Sequence, residues 1–306
     1  MFANAHRITS HKVSAEEYHL NPIGNVYYVR NNGSDNNDGK SPNSSFLTLA
    51  NAVDTASDWD KIILLASTDT TPYLEEADCP IEITQTGLKI LGSLTSERQW
   101  GTPAIHSHGT DSLLYINAHQ VEIANVAFHM QGAAPAMIEV AQNGNYWRTH
   151  IHDCYFGGNN LALCGVVMGN VTGSGYGHGS TVDAPCTVVE DCYFIYINGA
   201  AIYMNCGYGS VVRNCSFFMD TGDTGIVYGN NGTSRPHAEI LNNRFATSDV
   251  SNAFGIKVPN TPSAGYFLVD GNQFLNFADD DHCCEKRTGY MGNNRQGVTD
   301  ITVATD

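Results

Sequence analysis

IHDCYF, from Ile151 to Phe156, recurs as VEDCYF (Val189 to Phe194), VRNCSF (Val212 to Phe217), ILNNRF (Ile240 to Phe245) and VDGNQF (Val269 to Phe274). A weaker copy, IANVAF, runs from Ile123 to Phe128. The starts are separated by 28, 38, 23, 28 and 29 residues, the spacing of coils in a solenoid whose loops vary in length. A second apolar element follows each phenylalanine: MIEV (Met137 to Val140), VVMG (Val166 to Gly169), AIYM (Ala201 to Met204), IVYG (Ile226 to Gly229) and IKVP (Ile256 to Pro259). Each coil therefore supplies at least two short strands that pair with their equivalents above and below. Such stacking sets like side chains about 4.8 Å apart. Phe128, Phe156, Phe194, Phe217, Phe245 and Phe274 are then expected to form one internal aromatic stack. The fourth motif position holds Cys154, Cys192, Cys215, Asn243 and Asn272. It reads as an inward ladder of small side chains, the amides satisfying one another, rather than as a metal or redox line.

The 306 residues suit one continuous solenoid, and 30 glycines with only 15% charged residues suit short strands and tight turns. Lys and Arg number 15 against 31 Asp and Glu, a formal net charge of −16. That surface repels polyanions, so nucleic acid is excluded as a general partner. It also disfavours pectate or alginate as substrate unless a local basic groove overcomes it. Met1 to Ser10 (MFANAHRITS) lacks the apolar run of a secretory signal, and no stretch is long enough to span a bilayer. No membrane insertion is expected. Nine cysteines without a CxxC pair fit folding in a reducing cytosol.

Ahead of the repeats stand YYVRNNGSDNNDGKSP (Tyr27 to Pro42), FLTLANAVDTA (Phe46 to Ala56), DKIILLAS (Asp60 to Ser67) and GLKILGS (Gly87 to Ser93). Together with the hexapeptides they resemble the pectin-lyase-like right-handed parallel β-helix family, phage tailspike and virion β-helix proteins included. The resemblance implies an all-β, right-handed parallel β-helix solenoid with an N-terminal capping helix. Phe46, Leu49, Ala50 and Val53 fall at helical spacing and would face the first coil. The expected organisation is an arm or attachment segment over 1–25 and a cap with first strands over 26–92. Coils follow over 93–278, then a closing or subunit-contact segment over 279–306. This architecture hosts lyases, hydrolases, epimerases, adhesins and tailspikes, so fold alone does not settle activity.

Motif positions two and five should point outward, bringing His152, Glu190 and Arg213 beside Tyr155, Tyr193, Ser216 and Arg244. Tyr155, Tyr193, Arg213 and Arg244 are the glycan-binding candidates, because aromatic rings pack on sugars while charges select hydroxyls or carboxylates. For an enzyme, the catalytic candidates are His152, Glu190, Asp191, Arg213 and Arg244. The competing reading is an ordinary exposed sheet in which Glu190 pairs with Arg213 across strands. Asp153 with Asp191, and Asp220 with Asp223, are the carboxylate pairs a glycosidase could use. The polygalacturonase order fails here. Gly177-His178-Gly179 and Gly255-Ile256-Lys257 are present, but no Asp-Asp precedes the histidine and no arginine stands at 255.

No metal site or cofactor is expected. His150 and His152 share a strand face as surface decoration, and Cys283-Cys284 lacks a second cysteine pair. Ser34 to Lys40 lacks the spacing of an EF-hand and reads as an Asx-stabilised turn, leaving calcium as the one ion its oxygens could hold. The first functional expectation is a bacteriophage virion protein: a tailspike, fibre or capsid-surface component. It would be assembled in the host cytoplasm as a homotrimer, join other virion proteins through its N-terminal arm and bind a cell-surface polysaccharide. The alternative is a polysaccharide lyase or glycoside hydrolase, such as a capsule depolymerase. A bacterial surface adhesin stands third.

Overall fold

The computed structural model describes residues 24–66, 73–76, 79–93, 103–107, 110–130, 132–140, 148–169, 186–204, 208–220, 222–228, 237–248, 252–257, 266–285, 290–296 and 299–300. Among these, the chain winds into a β-helix of three parallel sheets with ten, eight and ten strands. The first sheet takes the strand that opens each hexapeptide, such as His150–His152, Val188–Glu190 and Tyr208–Arg213. The second takes the strand that closes it, such as Tyr155–Gly157, Tyr193–Ile195 and Ser216–Met219. The third takes the later apolar element, such as Cys164–Met168, Ala200–Met204 and Thr224–Tyr228.

Register is strict because each strand has one face in the core, and a one-residue slip would turn every apolar side chain outward. Ile151 pairs with Ile123 and Val189, and Phe156 with Phe128 and Phe194. The six expected phenylalanines form the predicted line and are almost completely buried. Their successive ring centroids lie 5.2, 4.6, 5.0, 4.7 and 4.9 Å apart. Phe277 then packs edge-on against Phe274 at 5.7 Å.

The stack also dictates residues on the opposite wall. At Gly165, Gly225 and Gly255 of the third sheet, an added Cβ would come within 2.9 Å of Phe194, 2.6 Å of Phe245 and 2.4 Å of Phe274. Gly255-Ile256-Lys257 is therefore a packing element, in which Gly255 yields to an aromatic ring and Ile256 is core. Gly177-His178-Gly179 lies outside the described residues.

Position three explains its own composition. Asn125, Asp153, Asp191, Asn214, Asn242 and Gly271 have φ of 57°, 53°, 53°, 55°, 54° and 69°. Asn, Asp and Gly are the residues that accept this left-handed conformation at least cost. One such residue per coil turns the chain from the first sheet into the second. The next side chain points inward, where Cys154, Cys192, Cys215, Asn243 and Asn272 make the expected ladder. A further copy went unread in the sequence because its apolar positions are Met291 and Gln296. In MGNNRQ, Asn293 has φ 32° and Asn294 occupies the ladder slot. Strands Tyr290–Met291 and Arg295–Gln296 stack in parallel on the preceding coil, and Thr299–Asp300 folds back antiparallel.

Near the first coil, helix Leu49–Thr55 buries Leu49, Ala52 and Val53. It starts after Phe46, which is buried beside Tyr27 and bridges Val29, so Phe46 belongs to the preceding strand-like segment. Ala50 is only half-buried and Ala52 takes the inward place. The polar loop organises the helix start. Asp35 accepts the amides of Leu47 and Thr48 at 2.9 and 3.0 Å, and Thr48 caps the amide of Asn51. Asp38 accepts the Lys40 amide and the Ser44 hydroxyl, as an Asx turn requires.

Candidate functional site

The left-handed corner separates the two outward columns that the sequence reading placed on one surface. Position two projects from the first sheet and position five from the second, with one corner residue between them. Outward side chains on either side of such a bend diverge. His152, Glu190 and Arg213 therefore form one face, and Tyr155, Tyr193 and Arg244 another. Asp153 and Asp191 sit on the exposed corner itself.

The first face is a chain of ion pairs across successive coils. Lys89 binds Glu122, and Glu122 meets His152 at 3.4 Å. The same imidazole contacts Asp153 at 2.8 Å. His150 lies against His152 with ring centroids 4.3 Å apart and bonds Glu190 at 2.7 Å, while Glu190 also binds Arg213. The hydrogen bond from His152, joined by Lys89, draws Glu122 down to about 2. The bond to Glu122, then the half-exposed Asp153, lifts His152 to about 9. Arg213, then His150, holds Glu190 below the usual range. At neutral pH His152 is thus a cation and no general base, and both glutamates are carboxylates rather than proton donors. The expected Glu190–Arg213 pairing is present.

The second face differs in kind. Its column runs Ala127, Tyr155, Tyr193, Ser216, Arg244 and Gln273, in register from coil to coil. The neighbouring outward column holds His129, Gly157, Ile195 and Phe218. From Ala104 to Gln296, the parallel strands of this sheet present no outward carboxylate among the described residues. Tyr155 and Tyr193 stack with centroids 5.7 Å apart and planes at 15°. The rings thus cover one face of each other, as the stacking of successive coils leads one to expect. Tyr193 and Tyr196 are about two-fifths exposed, and Tyr196 meets Phe218 edge-on at 5.8 Å. His129 packs on Tyr155 at 5.3 Å and leans over Gly157, where a Cβ would come 2.9 Å from Nδ1. Burial, then His106, brings the His129 imidazole down to about 4, so it is neutral.

The third sheet carries groups the sequence reading missed. Glu82, Tyr115, Glu139, Val167, Tyr203, Val227 and Lys257 share one outward column. Yet Glu139 is buried and accepts the Ser112 hydroxyl. Burial first, then Glu139 and Glu82, raises the Tyr115 phenol. The signal was available in MIEV, where Glu139 alternates with the core residues Ile138 and Val140. Asp223 is buried in the turn before this sheet and pushed up to about 6 by burial and then by Asp220. Among the described residues no three His, Cys, Asp or Glu side chains gather as a metal site. No described helix is long and apolar enough to cross a membrane.

No family description and no curated protein matches this sequence. Solved structures do match its shape. A pectin methylesterase from Aspergillus niger shares 12% identity at a TM-score of 0.59, covering 94% of this chain and 93% of that one. A pectate lyase shares 10% identity at 0.53, covering 92% and 78%. A rhamnogalacturonan lyase shares 16% at 0.51, covering 83% and 74%. At such identities the likeness is one of fold. The chain has the right-handed parallel β-helix architecture of pectin-lyase-like proteins.

Proposed function

We propose that this pectin-lyase-like β-helix is a polysaccharide-active protein that holds its glycan on the second sheet. One observation carries the reading. In a chain of net charge −16, this sheet offers, among the described residues, a run of tyrosine, phenylalanine, imidazole and arginine without an outward carboxylate in its parallel strands from Ala104 to Gln296. Tyrosine offers an apolar ring and a hydroxyl to the mixed apolar and hydrogen-bonding surface of a sugar. Arg244 supplies a fork for hydroxyl or carboxylate oxygens. Of the residues first considered, Tyr155, Tyr193 and Arg244 belong to this surface. His152, Glu190 and Arg213 are committed to ion pairs on the adjoining face, where they set charge rather than transfer protons. The pectin-processing names of the fold neighbours support this reading over a virion component or an adhesin, which gain no observation.

The test is affinity electrophoresis through gels cast with pectin, polygalacturonate, rhamnogalacturonan, alginate and xylan. Parallel assays read new reducing ends and unsaturated products. Retardation by at least one polymer, with product release, is expected. Unchanged migration in every gel, together with no product from any polymer, would sink the reading.

A further inference from the structure

On the two coils before Tyr155, the second sheet sets one imidazole beside another. His106 pairs in register with His129, on the outward column that continues to Gly157, Ile195 and Phe218. His106 is buried and His129 half-buried. Their ring centroids lie 5.4 Å apart with planes at 73°, unlike the tyrosine stack beyond them, whose planes meet at 15°. Two imidazoles on one tetrahedral zinc, with bonds of about 2.0–2.1 Å, would hold their centroids about 5 Å apart. The pair already stands at that separation.

The surrounding residues favour this pose. A Cβ at Gly157 would come 2.9 Å from Nδ1 and 3.2 Å from Cε1 of His129. That edge of the ring rests on the glycine, so the opposite edge, which carries Nε2, turns back toward His106. The adjoining outward column has only Ala104 and Ala127 on these two coils, and it leaves space beside the rings. One coil nearer the N-terminus, the register sets Glu75 at the same column position. In a chain of net charge −16, a cation is the ion that such a place attracts.

We infer that His106 and His129 are two ligands of a divalent transition-metal ion of the zinc class, bound at the N-terminal margin of the tyrosine surface. Imidazole nitrogen selects zinc, nickel or copper over calcium and magnesium, which take oxygen. Among the described residues no third His, Cys, Asp or Glu side chain joins the pair. The ion therefore keeps positions for water or for an oxygen of a bound molecule. The site goes beyond the polysaccharide reading and does not depend on it.

The test is calorimetric titration of the full chain, first stripped with a chelator, with zinc chloride and with calcium chloride as the oxygen-seeking control. Zinc should bind most tightly at one equivalent per chain, and calcium should not displace it. His106→Gln and His129→Gln should each lower that affinity about tenfold or more, the loss expected even for a residue that merely supports a metal ligand. Gly157→Ala keeps both imidazoles but pushes the His129 ring aside, and it should weaken zinc with the circular dichroism unchanged. His152→Gln, which breaks the other imidazole pair, should leave zinc binding in place. Should His106→Gln fail to fold, His129→Gln and Gly157→Ala decide the matter. Full zinc affinity in these variants, loss of it in His152→Gln, or no zinc binding to the wild-type chain overturns the site. None of these outcomes alters retardation in the polysaccharide gels, so the two readings stand or fall separately.

Discussion

The coils from Ile151 to Phe217 and those from Ile240 to Gln296 fill the same inward slot with different chemistry. In the first group the thiols of Cys154, Cys192 and Cys215 lie 3.2, 3.2 and 3.3 Å from the His152, Glu190 and Arg213 carbonyls of their own coils, and 3.7, 3.8 and 3.7 Å from the Ile123, Ile151 and Val189 carbonyls of the coil before. In the second, the side-chain amides of Asn243, Asn272 and Asn294 donate to Val212, Ile240 and Val269 carbonyls at 3.0, 2.9 and 3.0 Å. In both groups the first motif residue of the coil before offers its carbonyl to the slot, closely to the amides and at longer range to the thiols. The amides also accept: the Asn272 carbonyl oxygen takes the backbone and side-chain N–H of Asn243, and Asn294 does the same for Asn272. Asn243 accepts the backbone N–H of Cys215, joining the two groups. The slot therefore needs a short donor, and an amide adds a second, cooperative function. The cysteines are short donors in a wall, and their burial keeps Cys192 well above the usual thiol range.

The largest test of that difference is Asn272→Ala, which strands two donors of Asn243 and the Ile240 carbonyl and leaves a void. It should cost about 3 kcal/mol, read as a shift in the urea midpoint. A loss below about 1 kcal/mol would mean that the amide ladder contributes little. Next comes Gly225→Ala, at the level where thiols give way to amides. Its Cβ would come 2.6 Å from both the Phe245 ring and the Gly255 carbonyl oxygen, for about 2 kcal/mol of overpacking. An unchanged melting temperature would show that the stack and the neighbouring strand both yield freely. Cys192→Ala removes one weak donor and one sulfur, for about 1 kcal/mol. If it matched Asn272→Ala, thiol and amide would be equivalent and the comparison would collapse.

The smallest effect belongs to the surface. His152 rises from 6.5 to about 9 on folding, so its contribution is complete below pH 6.5 and lost as pH climbs through 9. Glu122 falls from 4.5 to about 2, so its contribution is complete above pH 4.5 and lost as pH drops through 2. His152→Gln should flatten the alkaline slope of melting temperature and much of the acid slope. An identical pH profile in the variant would show that these ion pairs are too well solvated to matter.

The interior was readable because a parallel solenoid repeats it. Phe194 stands on Phe156 for the same reason that Val189 stands on Ile151, and a hexapeptide written several times announces both. The copy at Met291 escaped because Gln296 ends the aromatic line. Gly165, Gly225 and Gly255 escaped because nothing local shows that a glycine on one wall answers a phenylalanine on another. On the outside, alternation told which residues leave the core but not which of them meet. Tyr155 and Arg213 both point outward, and a single left-handed residue per coil sends them to different faces.

By itself the sequence determined the coil count near its strong repeats, the inward lines of aliphatic, phenylalanine and ladder residues, and the acidic surface. These follow from period and composition, which burial forces into view. Only the tertiary structure decided that the outward motif residues divide between two sheets, that His152 is spent on Glu122 and Asp153 and Glu190 on His150 and Arg213, and that Glu139 is buried on an outward column. Those facts depend on which coil lies beside which and on what covers each face. Such relations arise between residues tens of positions apart, where no local pattern records them.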